Sequence, residues 1–359
     1  MSTTTIPAVT VCSPILAIDL GKYKSVACIY QQASAQAEFR SVPTVRSYLQ
    51  RLLDDVQPAA VVIEACSLAG WVKDFCDMVG LPCHVANTAS EAWKFKHTKR
   101  KTDRDDALRL AQLFALGQLP EVSIPPKTTR EWRALIATRQ KLVGRRVSIQ
   151  NRIRAILVGQ GLGAPVGAKA WASRGLQAIG EYARPLPECS AEKIWRGLLH
   201  LALIEYGQVE ELVAQLEAKL DEIAKANEQV RLLETIPGVG SRTAEAIVAH
   251  LHDPQRFENG KQVSAYAGLV PRQYQSGATD HRGRISKRGP ALLRKLLVQC
   301  AWAMLRYNAW AKALWQRLTQ AGKVRRKQAI VALARKLLVR CWAMLRDGQP
   351  WRTEMVAAA

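Results

Sequence analysis

Residues 59–65, AAVVIEA, constrain the fold of this chain more than any other stretch. The VVI run lacks the alternation of a strand with one wet face, so it reads as a central strand buried on both sides of a sheet. Such a strand needs helices above and below it, and the surrounding sequence provides them. ILAIDL (15–20) and SVACIY (25–30), joined by GKYK, read as an antiparallel hairpin. Helical patterns follow near 43–56 and 68–79, with a further strand in LPCHVA. DRDDALRLAQLFALG (103–117) has helical spacing and ends at Gly117, and LPEVSIPPKTT is a natural boundary.

Beyond that boundary the period is helical. One basic helix is expected over 128 to about 158 and another over 207–232. In the second, Val209, Leu212, Leu216, Leu220 and Ile223 form one stripe, as a helical hairpin or a short coiled coil requires. Heptads this short leave both pairings open, within one chain or between chains. In TIPGVGSRTAEAIVAHL, Gly238 and Gly240 make a tight turn opening a helix at Thr243. That is the shape of a helix-hairpin-helix element whose exposed N–H groups can hold a phosphate, or a turn with no ligand at all. Two helices are expected at 290–306, with Pro290 in the first position, and at 327–346. They carry near copies, RKLLVQCAWAMLR and RKLLVRCWAMLR, whose one-residue offset turns the tryptophan by about 100°. The expected organisation is therefore α/β over 1–125, a helical coiled-coil middle over 126–230, and a mainly helical C-terminal domain over 231–359.

Charge narrows the partner. Lys and Arg number 52 against 30 acids, and from Pro271 onward 19 against three, Asp280, Asp347 and Glu354. A polyanionic partner is expected, and no apolar run reaches the roughly 18–20 residues of a membrane span. The eight cysteines form no CxxC pair and lie in part within apolar runs, which points to buried thiols in a reducing compartment. The first residues, MSTTTIPAVTVCSP, lack the basic and apolar regions of a signal peptide, so a cytoplasmic location is expected.

Four carboxylates stand where chemistry is easiest to build. Asp19 closes a buried strand before Gly21, and Glu64 ends the VVI strand. Asp103 and Asp106 are three apart at a helix start and share a face, whereas Asp105 points elsewhere. Hard divalent cations such as Mg²⁺, or Mn²⁺, take a few carboxylate oxygens together with waters and substrate phosphates. Singly, each acid also has an ordinary use as turn former, strand end, helix cap or surface charge.

A strand Asp, a strand Glu and then D-x-x-D on a helix after KT resemble, in that order, the RNase H-like fold of Holliday-junction resolvases. AIDLGKYKSVACIY also resembles the first phosphate loop of sugar kinases and actin-like ATPases, but the second Asp/Gly loop that reading needs is not found. LLETIPGVGSRTAEAI, SAYAGLVPRQYQSG and RGRISKRGPALLRK resemble the C-terminal domain of DEDD-type insertion-sequence transposases, the bridge-RNA-guided recombinases. AIDLGK, VVIEA and KTDRDDALRLA are similar to the N-terminal half of that family, so the resemblance spans most of the chain.

The resemblance implies a metal-binding tetrad of Asp19, Glu64, Asp103 and Asp106, with Ser276 as the nucleophile that forms a phosphoserine link to DNA. It also implies double-stranded DNA at the element ends and target as partner, a structured non-coding guide RNA, and a dimer or tetramer built through the middle helices. A nucleoid-associated site in a prokaryotic cytoplasm goes with that reading. Arg282, Arg284, Lys287 and Arg288 would neutralise the phosphorane, as guanidinium groups suit phosphate oxygens. Ser286, the competing hydroxyl, is expected to cap the next helix or hold a phosphate. Pro290 departs from the family pattern and bears on the helix start. Two other readings stay open: a metal-dependent junction nuclease using water, and a nucleic-acid-binding protein without catalysis.

Overall fold

The structure, a computed structural model, describes residues 13–87, 102–163, 165–276, 279–320 and 326–352. The chain divides into two compact units, Met1–Lys127 and Thr128–Ala359.

The first unit is built on a five-stranded sheet. In chain order it contains β1 (Ile15–Asp19), β2 (Lys24–Gln31), β3 (Gln36–Pro43), α1 (Arg46–Val56), β4 (Ala60–Glu64), α2 (Ala69–Met78), β5 (Cys83–Ala86) and α3 (Asp103–Ala115). The sheet order is β3-β2-β1-β4-β5. β1, β2 and β3 pair antiparallel, while β1, β4 and β5 pair parallel. β4 lies inside the sheet, between β1 and the edge strand β5, and is buried on both faces, as its apolar run requires. Leu16, Ile18, Val61 and Ile63 point into a layer with Leu49, Leu52 and Leu53 of α1 and Val72, Phe75 and Cys76 of α2. The alternate residues Ile15, Ala17 and Val62 meet Ala107, Leu110 and Ala111 of α3 on the other face. Burying each large side chain contributes roughly 1.5–3 kcal/mol.

β3 is a strand that periodicity does not reveal. QAEFRSVP lies at the sheet edge, and its exposed and half-buried residues present no continuous apolar face.

In the second unit α4 (Lys127–Gly159) and α6 (Ile194–Ala226), with the short α5 (Ser173–Gly180) between them, form a long antiparallel pair. Its seam holds Ile149, Ile153 and Leu157 against Leu199, Ala202, Tyr206, Val209 and Val213. Arg139 pairs with Glu217, Arg146 with Glu210, and Arg145 and Arg152 with Glu205, which fixes the register. The helical hairpin is thus closed within the chain. α6 starts 13 residues earlier than 207, running through Gly207, and ends at Ala226. Asn227 then caps α7 (Glu228–Glu234) by accepting from the Val230 N–H. Leu212 falls outside the seam, 46% exposed, and Val213 takes its place.

The remaining helices share one core: α8 (Ser241–Leu251), α9 (Gly260–Tyr266), α10 (Ala291–Tyr307), α11 (Ala309–Gln320) and α12 (Arg326–Asp347). A two-stranded sheet, β6 (Pro271–Ser276) with β7 (Thr279–Ile285), lies between α9 and α10 in the chain. Pro290 occupies the position before α10, one residue earlier than expected. The near copies on α10 and α12 differ as the offset predicts: Trp302 is 46% exposed, whereas Trp342 is 5% exposed and donates its ring N–H to Pro254 O. Among the described residues all seven cysteines are free thiols, and five of them are buried. Cys12 lies outside the described residues. No described helix is long and apolar enough to cross a membrane.

Candidate active site

Strand alternation decides where the first two carboxylates point. Ala17 faces α3, so Asp19, two residues on, does too; Val62 faces α3, so Glu64 does too. Ile18 pairs with Ile63 across the parallel β1–β4 ladder, which leaves Asp19 and Glu64 side by side at the same sheet end. Both are half-buried.

α3 brings its first turn to that end. The Gln32 side chain, just past β2 and so beside the start of antiparallel β1, donates to Ala115 O at the far end of α3. The helix therefore runs against β1 and starts where β1 ends. Asp103 and Asp106 stand on the stripe that continues through Ala107 and Leu110, the residues that pack on the sheet. Asp105 is used otherwise: Thr102 Oγ1 accepts from its N–H at 3.2 Å and donates to its carboxylate at 2.6 Å. This reciprocal cap holds the helix start, and the acids of the first turn suit the positive end of the helix dipole.

The turn after Asp19 is built as tightly. A side chain on Gly21 would meet Lys24 O at 2.1 Å, so only glycine fits. Thr44 Oγ1 donates to Gly21 O at 2.8 Å and lies 2.7 Å from Ser25 Oγ, tying the β1–β2 turn to the end of β3. Ser25 and Thr44 hold this turn in place, and no sequence motif marked them.

Among the described residues, no group of three or more His, Cys, Asp and Glu side chains is drawn together closely enough to hold a metal ion. The four acids share an end and a face without forming a closed cage.

In the second unit Ser276 is the last residue of β6, opposite Thr279. A register shift lies between Pro271 and Gln273, and Gln273 pairs with Arg282. The side chains of Ser276 and Arg282 lie outside the described residues. The cationic segment that follows is seated by backbone hydrogen bonds. Ser286 N–H donates to Val270 O and Lys287 N–H to Gly268 O, with Lys287 itself at φ +56°. A side chain on Gly268 would meet Arg288 O at 2.2 Å, and one on Gly289 would meet Tyr266 O at 1.9 Å. Arg294 of α10 completes the seat, donating from one nitrogen to the carbonyls of Ala267, Arg288 and Gly289. Burial holds its guanidinium below the ordinary arginine range.

Arg284, Lys287 and Arg288 are exposed, and among the described residues none has a carboxylate partner. Ser286 does not cap α10, because the capping position belongs to Pro290; its hydroxyl is buried without a hydrogen-bond partner. Arg294→Gln is expected to cost about 1–3 kcal/mol by leaving carbonyls unsatisfied, read by chemical unfolding.

The two glycines of this turn differ: Gly238 packs inward, whereas Gly240 is exposed with open space around it. Gly238, at φ +93°, comes within 3.0 Å of Met304 at the position a Cβ would take. Pro237 O accepts from Asn308 and Gly238 O from Cys300 Sγ, so α10 consumes this backbone. The start of α8 opens on carboxylates: Ser241 donates to Glu234, Arg242 pairs with Asp221, and Glu217 lines the same cavity.

Behind them Glu245 is fully buried, its oxygens without hydrogen bonds and Arg242 at 3.3 Å. Burial pushes its carboxyl up to about 7. A raised folded-state value means that Glu245 favours folding below the unfolded value and loses that contribution as pH rises through about 7. Glu245→Gln is therefore expected to raise the melting temperature at pH 8 and change it little at pH 5.

Two family models match the chain. A DEDD-type IS110 transposase model covers residues 16–160, and "Transposase IS116/IS110/IS902 family" covers 230–316. The chain is 30% identical to the transposase for insertion sequence element IS1111A of Coxiella burnetii, over 94% of this chain and 91% of that one. It is 28% identical to the transposase for IS1328 of Yersinia enterocolitica, over 84% and 88%. A pilin gene-inverting protein of Moraxella bovis is 37% identical over 35% of this chain and 39% of its own.

The matched regions include the strand-end acids, the first turn of α3 and the β6–β7 hairpin, and they define a DNA transposase. The chain belongs to the IS116/IS110/IS902 family of transposases.

Proposed function

We propose that the chain excises and inserts an insertion sequence by site-specific, RNA-guided strand exchange through a covalent Ser276–DNA intermediate. The observation that carries this reading is the juxtaposition of Asp19 and Glu64 on adjacent parallel strands, with the first turn of α3 at the same end and face. The sheet order and the antiparallel β2 support an RNase H-like fold.

A hard divalent cation fits the donor chemistry of Asp19, Glu64, Asp103 and Asp106. Mg²⁺ usually keeps several waters and takes one or two carboxylates plus substrate phosphate, so an open set of acids suits it better than a closed cage. When bound, such an ion polarises a phosphoryl oxygen. Mn²⁺ accepts the same oxygen ligands.

Ser276 Oγ attacks phosphorus, its proton passing to a carboxylate or water; the serine–phosphate bond forms as the bond to a deoxyribose oxygen breaks, and that oxygen takes up a proton. The hydroxyl of a second strand then attacks the phosphoserine and releases Ser276. Arg284, Lys287 and Arg288, with Arg282, neutralise the charge that grows on phosphate in both steps. The N–H groups at Gly240 serve a DNA backbone contact only where the neighbouring carboxylates are held by Ser241 and Arg242.

Double-stranded DNA is the substrate, and the net charge of +22 supports a second polyanion, the guide RNA. A homo-oligomer is supported by a row of exposed apolar residues on α6, Ile194, Leu198, Leu201, Ile204 and Leu212, outside the α4 seam. The test is excision of end-flanked DNA by the chain with its element's flanking RNA. Excision that requires both the RNA and a divalent cation supports the proposal, and excision without either contradicts it.

A further inference from the structure

The last two helices and the residues just after α12 carry cations and an aromatic wall that the proposed chemistry does not use. Burial first, and then the charges of Arg317 of α11 and of Arg335 and Arg340 of α12, hold the Lys336 ammonium below its ordinary value. Among the described residues none of these four has a carboxylate partner. Four cations gathered without an acid repel one another, and an anionic partner relieves that cost.

Arg340 also lines a cavity of about 230 Å³ with Ala343, Met344, Asp347, Trp351 and Arg352. Its guanidinium lies against two indoles, 4.3 Å from the Trp310 ring and 5.1 Å from the Trp351 ring, and it has no hydrogen-bond acceptor among the described residues. Trp351 is held in place: its backbone N–H donates to Thr235 Oγ1 at 3.0 Å, and its ring meets Trp310 edge-on at 5.6 Å. Asp347 is engaged by Arg346 through two hydrogen bonds. The cavity is smaller than the roughly 300 Å³ at which small-molecule pockets begin. An apolar, indole-walled recess of that size suits one flat ring, and the cations beside it suit the phosphates on either side of that ring.

We propose that this α11–α12 face binds a single nucleic-acid strand, with one unstacked base against Trp351 in the cavity and the flanking phosphates on Arg317, Arg335 and Lys336. A duplex keeps its bases stacked on each other and offers none to the cavity, whereas a single strand stacks its bases readily on aromatic side chains. The same chemistry is offered by an RNA strand and by a DNA strand opened during exchange. The inference rests on the chain acting on nucleic acid, and it adds a contact remote in sequence from the β6–β7 hairpin.

The test is fluorescence anisotropy of the full-length chain with short labelled RNA strands, DNA strands and DNA duplexes across a salt series. Trp351→Leu is expected to weaken single-strand binding by about fivefold or more, with Trp351→Phe retaining it, since a phenyl ring still stacks. Arg335→Gln combined with Lys336→Gln is expected to flatten the salt dependence for a strand by about 1.4 in log–log slope, two phosphates' worth. Duplex binding stays unchanged in all three variants. Tighter binding of the RNA strand than the DNA strand assigns the site to RNA, the reverse assigns it to opened DNA, and both support the site.

Wild-type strand binding by Trp351→Leu and by the double variant, at unchanged melting temperature, overturns the inference alone. Equal losses on strand and duplex also overturn it, because the patch is then a general backbone contact. A wild-type chain that binds none of the three probes overturns both this inference and the reading beneath it.

Discussion

Asp19→Asn is expected to lower DNA cleavage and strand exchange by about 10²–10³-fold while leaving the fold intact, the range seen when one electrostatic stabiliser leaves an active site. Asn keeps the shape of the side chain and removes the charge that attracts a hard cation. Asp19 is half-buried at a strand end, outside the apolar layers of the sheet, so thermal unfolding run beside the activity assay separates loss of charge from loss of fold. Glu64→Gln should behave alike, because register sets the two side by side. Asp105→Asn is the internal comparison. It weakens the Thr102 cap by about 1 kcal/mol and leaves exchange at the wild-type rate, since its carboxylate is spent on the helix start. Loss of activity in Asp105→Asn equal to that in Asp19→Asn would mean that the α3 start matters only as structure.

Ser276→Ala carries the larger expected effect, a loss of strand exchange on the order of 10⁴-fold or more, as nucleophile removal produces in enzymes that work through covalent intermediates. Alanine suits the last residue of β6, whose backbone pairing with Thr279 does not depend on the hydroxyl. Stability and DNA affinity should therefore stay near wild type, separating chemistry from binding. Ser276→Ala that still cuts DNA at the wild-type rate, while Asp19→Asn does not, would favour the junction nuclease with water as nucleophile.

The positions of the strand-end acids are legible in the amino-acid sequence, and the reason is physical. A doubly buried strand must be apolar throughout, so AVVIE and its neighbour ILAID stand out, and the acids ending them can be placed by counting. Alternation then fixes which face each acid takes, a period of two that leaves no freedom. Capping residues likewise mark the start of α3 at Thr102.

The parts that stay hidden have no such periodicity. β3 is an edge strand and needs no apolar face. β6 and β7 are polar, held by pairing with each other, so the serine segment resembles a turn when it is a strand end. Gly207 disguises the middle of α6 as its beginning, because glycine weakens a helix by about 1 kcal/mol and a 33-residue helix tolerates that. The stripe through Leu212 is displaced by one residue because Val213 fits the seam opposite α4. Arg294 gives no signal at all: its role exists only where three carbonyls from separate turns converge. The inward packing of Gly238 is of the same kind, set by α10 more than sixty residues away.

The central claim is that Ser276 becomes covalently joined to DNA. The most direct test incubates the full-length chain and its flanking RNA with labelled element-end DNA and Mg²⁺, then separates the products under denaturing conditions beside Ser276→Ala. A protease-sensitive adduct that resists denaturant and is absent from Ser276→Ala is the predicted result. DNA cut by the wild-type chain with no adduct, or an adduct that persists in Ser276→Ala, would contradict it.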